Sequence, residues 1–241
     1  MENGRRIVFG RRRGHKLRPQ RQALMRQFLP KIQINVADEP TAVSPRSFFS
    51  ENVREIWLEI GFGAGEHLAC QASRNPDIGF IGCEPFLNGV SALTKKIALD
   101  KLSNVRIFPD DARILLSRLK EGEINRLFVL FPDPWPKERH KKRPMISKEN
   151  VDCFSKIIAD GGEFRFSTDH IEYAEWTISK MVTQIEFDCV YNGTRRSYVR
   201  PYDWPTTRYE QKAVLANRDP IFLQYIRINR SDMINKSLQG C

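Results

Sequence analysis

No apolar run among the 241 residues approaches the roughly 18 that a membrane span requires. The N-terminus is basic but has no apolar h-region, so no secretory signal is expected. Cysteine is scarce and scattered. Cys70, Cys83, Cys153, Cys189 and Cys241 are odd in number, and no C-x-x-C or H-x-x-x-H spacing occurs. That supports neither a disulfide framework nor a metal site. Reduced thiols in a cytoplasmic protein are the expected state. Internal repeats and low-complexity segments are missing too. Acids are outnumbered: 39 Lys and Arg against 29 Asp and Glu leave a net charge of +10. Such a balance points to an anionic partner, most simply nucleic acid, and by itself leaves an anionic membrane surface open. Hydrophobic residues make up 41%, enough for a sizeable core and against global disorder.

From residue 53 onward, apolar runs of strand length alternate with segments of helical period, the pattern of a doubly wound, mostly parallel α/β sheet. Strands are predicted at 56–60, 78–84, 105–108, 127–131, 163–167, 187–191 and 221–228. Helices are predicted at 66–71, 89–100, 112–119, 148–158 and 171–181. Gly161-Gly162 is expected to end the fourth helix and Thr168-Asp169 to cap the fifth. Residues 1–50 read as a basic arm and lead-in, and 51–241 as the main domain with a polar, aromatic and proline-rich insertion at about 192–219. Arg5, Arg6, Arg11, Arg12, Arg13, Lys16, Arg18 and Arg21 suit a mobile arm that neutralises phosphates. They equally suit a solubilising tail. A short helix at 23–29 should stop at Pro30.

The first strand runs through Glu59 into Gly61-Phe62-Gly63-Ala64-Gly65-Glu66. Glycine at alternate positions lets the chain turn sharply and lets backbone approach a ligand. Dinucleotide folds use G-x-G-x-x-G, whereas here the third glycine comes one residue early. The spacing resembles the first motif of class I S-adenosylmethionine-dependent methyltransferases; an ordinary tight turn would also use it. Glu84 ends the second strand, 84 − 59 = 25 residues after Glu59. An acid there is placed to grip ribose hydroxyls. Further acids follow the next strand ends: Asp110 and Asp111, Asp133, and Asp169. A sulfonium cation, an amine, ribose hydroxyls and an adenine amine all suit such a set. Asp111 could take the adenine amine, cap the helix after it, or do both.

After the fourth strand comes Phe131-Pro132-Asp133-Pro134-Trp135-Pro136-Lys137, in which three prolines hold Asp133 and Trp135 in fixed relation. The basic run Arg139-His140-Lys141-Lys142-Arg143 follows, then Pro144. Basic residues beside a rigid aromatic loop suit a nucleic acid with a base turned out of its stack.

These segments, with Ser167–Asp169 and Thr206-Thr207-Arg208-Tyr209-Glu210-Gln211, resemble the bacterial tRNA (guanine-N7-)-methyltransferase family across most of residues 56–211. The resemblance implies the class I fold, a Rossmann-like sheet of seven strands with the last one antiparallel. It implies S-adenosylmethionine as cosubstrate and no metal. Methyl transfer would go to N7 of guanine 46 in the tRNA variable loop. Cofactor contacts are implied at Glu59, Gly61, Gly63, Glu84, Asp111 and Asp133. Substrate contacts are implied at Lys137, Asp169, Thr207, Arg208, Tyr209 and Glu210, with RNA along Arg139, His140, Lys141, Lys142, Arg143 and Pro144. The N-terminal arm matches no motif of the family, and the quaternary state would be monomer or homodimer. Guanine N7 carries an in-plane lone pair and no proton, so alignment rather than base catalysis is the main requirement. Methylation leaves positive charge on the base, and Asp133 is the candidate to stabilise it, with Asp169 second. Arg208 and Glu210 would hold the guanine edge or form a structural ion pair. An adenine-N6 methyltransferase would carry Asp/Asn-Pro-Pro-aromatic, which this loop departs from. The row of acids argues against an RNA-binding protein without chemistry. The glycine spacing and the Pro-Asp-Pro-Trp loop disfavour a nicotinamide oxidoreductase.

Overall fold

The computed structural model describes residues 12, 14–36, 41–50, 52–133, 144–190 and 200–232. Lys137 and the basic run 139–143 therefore lie outside the described residues, as do arm residues 1–11 and 13. The strands are β1 (Glu55–Ile60), β2 (Ile78–Cys83), β3 (Val105–Phe108), β4 (Ile124–Leu130), β5 (Ile158–Thr168), β6 (Phe187–Cys189) and β7 (Ile221–Arg227). They form one sheet in the order β3-β2-β1-β4-β5-β7-β6. The first five run parallel, and β7 is antiparallel to both β5 and β6. Chain direction along the sheet reverses between β1 and β4, the switch point where ligands enter such folds.

Helices cover both faces, which is why β2 is buried along its whole length. One face carries α1 (Pro19–Gln27), α2 (Leu29–Ile32), α3 (Glu66–Arg74) and α4 (Leu87–Asp100), packing Leu29, Ile32, Leu68, Ala72, Leu93 and Ile97 with Trp204. The other carries α5 (Ala112–Leu116), α6 (Lys148–Ile157) and α7 (Ile171–Met181), packing Leu115, Val151, Phe154, Tyr173 and Met181. The lead-in shares this core, since Ile34 N–H donates to the Ile107 carbonyl and Val43 bridges to Leu119.

Four expectations need correction. Pro30 does not stop a helix; it stands in the first turn of α2, where a missing N–H costs nothing. Gly161-Gly162 does not end α6. That helix stops at Ile157 because buried Ile158 already pairs with Ile124, and the glycines sit inside β5 where its register against β4 shifts. The helix predicted at 112–119 closes at Leu116, and Leu119 is used in the bridge to Val43. Thr168-Asp169 does not cap α7, whose N-cap position is His170 with no side-chain cap; the Thr168 hydroxyl instead accepts from the His170 N–H. Within the insertion at about 192–219 lies one further helix, α8 (Arg208–Leu215).

Candidate active site

The acids line up across the carboxyl edge of the parallel strands in spatial order: Asp110 and Asp111 after β3, Glu84 after β2, Glu59 in β1, Asp133 after β4, Asp169 after β5. An open cleft sits at the switch point. Its walls include Glu59, Gly61, Phe62, Phe131, Thr207 and Tyr209. A second groove, beside β3 at Gln33, Phe48 and Arg106, meets none of the strand-end acids.

Gly63 has φ +54° and Gly65 φ +70°, the left-handed region that an L side chain rarely adopts. A Cβ on Gly63 would stand 3.1 Å from the Tyr209 hydroxyl oxygen, so glycine also makes room for that ring. Glu84 fastens the loop: Oε2 accepts from the Gly63 N–H and Oε1 from the Phe86 N–H, both at 2.9 Å. Burial pushes the Glu84 carboxyl up. The two backbone donors oppose that, and the charges of Asp133 and Glu59 reinforce it.

Glu59 is 5% exposed and its Oε2 lies 2.7 Å from Nδ1 of His67 in α3. His67 is itself buried between Phe128 and Trp204. Sequence reasoning passed over it. The signal available was His67 and Gln71 at i and i+4, both on the apolar face of α3.

Residues 200–210 reach the cleft from the far end of the chain. Thr207 caps α8, its hydroxyl accepting from the Glu210 N–H at 3.1 Å. Arg208 and Glu210 do not pair with each other. Arg208 reaches across to Glu66 at 2.5 Å, and its backbone N–H also donates to Glu66. Glu210 meets Arg200 at 3.4 Å. The segment is held by Asp203, whose carboxylate accepts from Arg165 at 2.9 Å and Arg126 at 3.1 Å. None of these anchors was foreseen from the sequence.

Asp111 is the N-cap of α5, accepting from the Arg113 N–H at 3.0 Å and pairing with the Arg113 guanidinium. Asp169 is paired with Arg218 at 2.7 Å. Asp133 is exposed and follows Phe131, whose φ of +47° is unusual for a bulky aromatic residue. Its charge acts on both Glu84 and Tyr209. Pro144 is half-buried where the described chain resumes. Among the described residues, part of the arm is docked on the domain. The Arg12 carbonyl accepts from the Leu87 N–H at the start of α4, Gly14 N–H donates to Asn88, and the Arg12 guanidinium reaches Asp110 at 3.4 Å. An unfilled helix-start donor explains the docking.

Among the described residues no helix is long and apolar enough to cross a membrane. A family described as "Putative methyltransferase" matches residues 53–223. A tRNA (guanine-N(7)-)-methyltransferase of Paramagnetospirillum magneticum is 44% identical over 220 residues, covering 91% of this chain and 92% of the relative. Its counterpart in Rhodospirillum rubrum is 42% identical, covering 92% and 88%. Among solved structures, the 16S rRNA methyltransferase KamB aligns with a TM-score of 0.54 at 16% identity over 74% of this chain and 90% of that one. An rRNA methylase of Streptococcus thermophilus gives 0.51 at 10% identity, over 74% and 89%. At such identities the structures speak for the fold alone, whereas the sequence relatives span nearly the whole chain. The chain belongs to the tRNA (guanine-N7-)-methyltransferase family, a branch of the S-adenosylmethionine-dependent class I methyltransferases.

Proposed function

We propose that this protein transfers the methyl group of S-adenosylmethionine to N7 of guanine 46 in the variable loop of tRNA. The observation that carries the reading is the row of strand-end acids beside the left-handed glycine loop, of which Glu59 shares one cleft with Thr207 and Tyr209. The names of the relatives support tRNA and N7, and the family resemblance supports position 46. The residues fit the cofactor: a Cβ at Gly63 would crowd the cleft, and buried carboxylates stand where cationic and hydroxyl groups need acceptors.

Bound S-adenosylmethionine supplies an electrophilic methyl group on a sulfonium cation. Glu59 takes the amine end. Glu84 keeps lone pairs for the ribose hydroxyls while it holds the loop through Gly63 and Phe86. Asp111 takes the adenine side with the capacity left by its cap. Gly61 and Gly63 leave the backbone bare on the cofactor side. Thr207, Arg208, Tyr209 and Glu210 form the guanine side, with Lys137 and Asp169. Arg139, His140, Lys141, Lys142, Arg143 and Pro144 follow the RNA backbone. The guanine nitrogen has no proton to lose, so the protein's work is alignment and charge. Asp133 is exposed, whereas Arg218 already compensates Asp169, so Asp133 is the better group to stabilise charge growing on the base. The reading makes 51–241 the catalytic unit, 1–50 an accessory arm, and the protein a cytoplasmic monomer or homodimer.

Incubation with bulk tRNA and methyl-labelled cofactor, followed by nucleoside analysis, tests this directly. 7-Methylguanosine mapping to nucleotide 46 is the expected product. N6-methyladenosine, or cofactor binding with no transfer to any RNA, would refute it.

A further inference from the structure

Behind Glu59 stands a buried polar chain at the base of the cleft. Glu59, His67 and Gln71 are 5%, 3% and 2% exposed. Gln71 Nε2 lies 2.8 Å from the carbonyl oxygen of Asp203. A carbonyl only accepts, so that Gln71 atom is the amide nitrogen. The same nitrogen faces His67 Nε2 at 3.4 Å, and the Gln71 amide oxygen lies 3.5 Å from Asn75 Nδ2. With a donor facing Nε2, the ring proton belongs on Nδ1, 2.7 Å from Glu59 Oε2. Phe128 at 4.7 Å and Trp204 at 6.1 Å between ring centroids pack against the imidazole.

We propose that His67 is a positioning residue for the cofactor: its Nδ1–H fixes the Glu59 carboxylate, and Gln71 fixes His67 by tying it to the Asp203 carbonyl. This rests on the reading of Glu59 as a cofactor ligand. The logic is that of an outer ligand shell, where a partner behind the binding group sets its orientation. One carboxylate oxygen is committed to His67, which leaves the other for the cofactor. Without the donor, a buried carboxylate would lose its compensation and its direction together. The link also joins the two halves of the site. Asp203 belongs to the segment that delivers Thr207 and Tyr209, and its carboxylate is clamped by Arg126 and Arg165.

Calorimetric titration of the full chain with S-adenosylmethionine tests the proposal. Four proteins are compared: wild type, Glu59→Gln, His67→Asn and His67→Phe. Asparagine can place an amide N–H where Nδ1 stands, and phenylalanine keeps the ring without a donor. The expected result is at least a tenfold loss of affinity, roughly, for His67→Phe, with His67→Asn within about threefold of wild type. Steady-state assay of His67→Phe should show a raised KM for the cofactor and a nearly unchanged kcat at saturation. Gln71→Leu, which leaves both Glu59 and His67 in place, should raise that KM severalfold and serves if His67→Phe fails to fold. Equal affinities for His67→Phe and His67→Asn would overturn the proposal, as would an unchanged cofactor KM in Gln71→Leu. Wild-type affinity in Glu59→Gln would sink the underlying reading instead, and so would failure of the wild type to bind.

Discussion

Oε2 of Glu84 accepts a hydrogen bond from the Gly63 N–H at 2.9 Å, joining the end of the second strand to the middle of the glycine loop. The acid therefore shapes the loop as well as offering acceptors to a ligand. Glu84→Ala should weaken S-adenosylmethionine binding by about tenfold or more, because a charged acceptor contributes roughly 1.5–3 kcal/mol. Stability should fall with it, since Gly63 and Phe86 both lose a partner. Calorimetry and denaturant unfolding measure the two effects. Unchanged affinity in a folded variant would remove Glu84 from the site.

The same carboxyl gives a pH signature. Burial raises it above the ordinary carboxylate value against the pull of the two backbone donors, with Asp133 and Glu59 adding to the rise. Between the ordinary value and the raised one, the folded protein holds a proton that the unfolded chain has released. This group's contribution to stability must then decline as pH rises through that window. Cofactor affinity should move the other way, falling as acidification protonates the acceptor. Glu84→Gln should flatten both profiles. Unfolding midpoints and titrations from about pH 4 upward check this; wild-type and variant curves of the same shape would contradict it.

Asp203 anchors the segment that carries Thr207 and Tyr209. Asp203→Ala takes a carboxylate away from buried Arg165 and from Arg126, a loss of roughly 1.5–3 kcal/mol. The backbone carbonyl that receives Gln71 remains. KM for tRNA should therefore rise more than KM for the cofactor. Equal changes in both would mean that the clamp serves the fold generally and not the substrate side.

Asp133→Asn keeps the size of the side chain and removes its charge. If Asp133 stabilises charge growing on guanine, methyl transfer should slow more than tRNA binding weakens. Single-turnover methylation with both substrates saturating isolates that step. A near wild-type rate would leave alignment as the main source of catalysis.

Much of this protein follows from local sequence. Strand β3 at Val105–Phe108 and helix α7 at Ile171–Met181 stand where apolar periodicity put them, because a face of one period must be buried whichever neighbours it meets. The left-handed turns at Gly61, Gly63 and Gly65 could be anticipated, since alternate glycines relieve a restriction that belongs to each residue alone. Strand-end acids were visible for the same reason: a parallel α/β order fixes which end of each strand faces the ligand. What the tertiary structure decided is which side chains meet. Gly161-Gly162 looked like a helix stop, but pairing of Ile158 with Ile124 drew the chain straight into β5. Arg208 and Glu210 are two apart, yet one bonds Glu66, 142 positions earlier, and the other Arg200. His67 reads as one more polar residue on α3 until folding closes Glu59, Gln71 and the Asp203 carbonyl around it. A buried polar contact takes its energy from a partner brought in by the fold and from the water excluded around both, and neither is written at the residue itself.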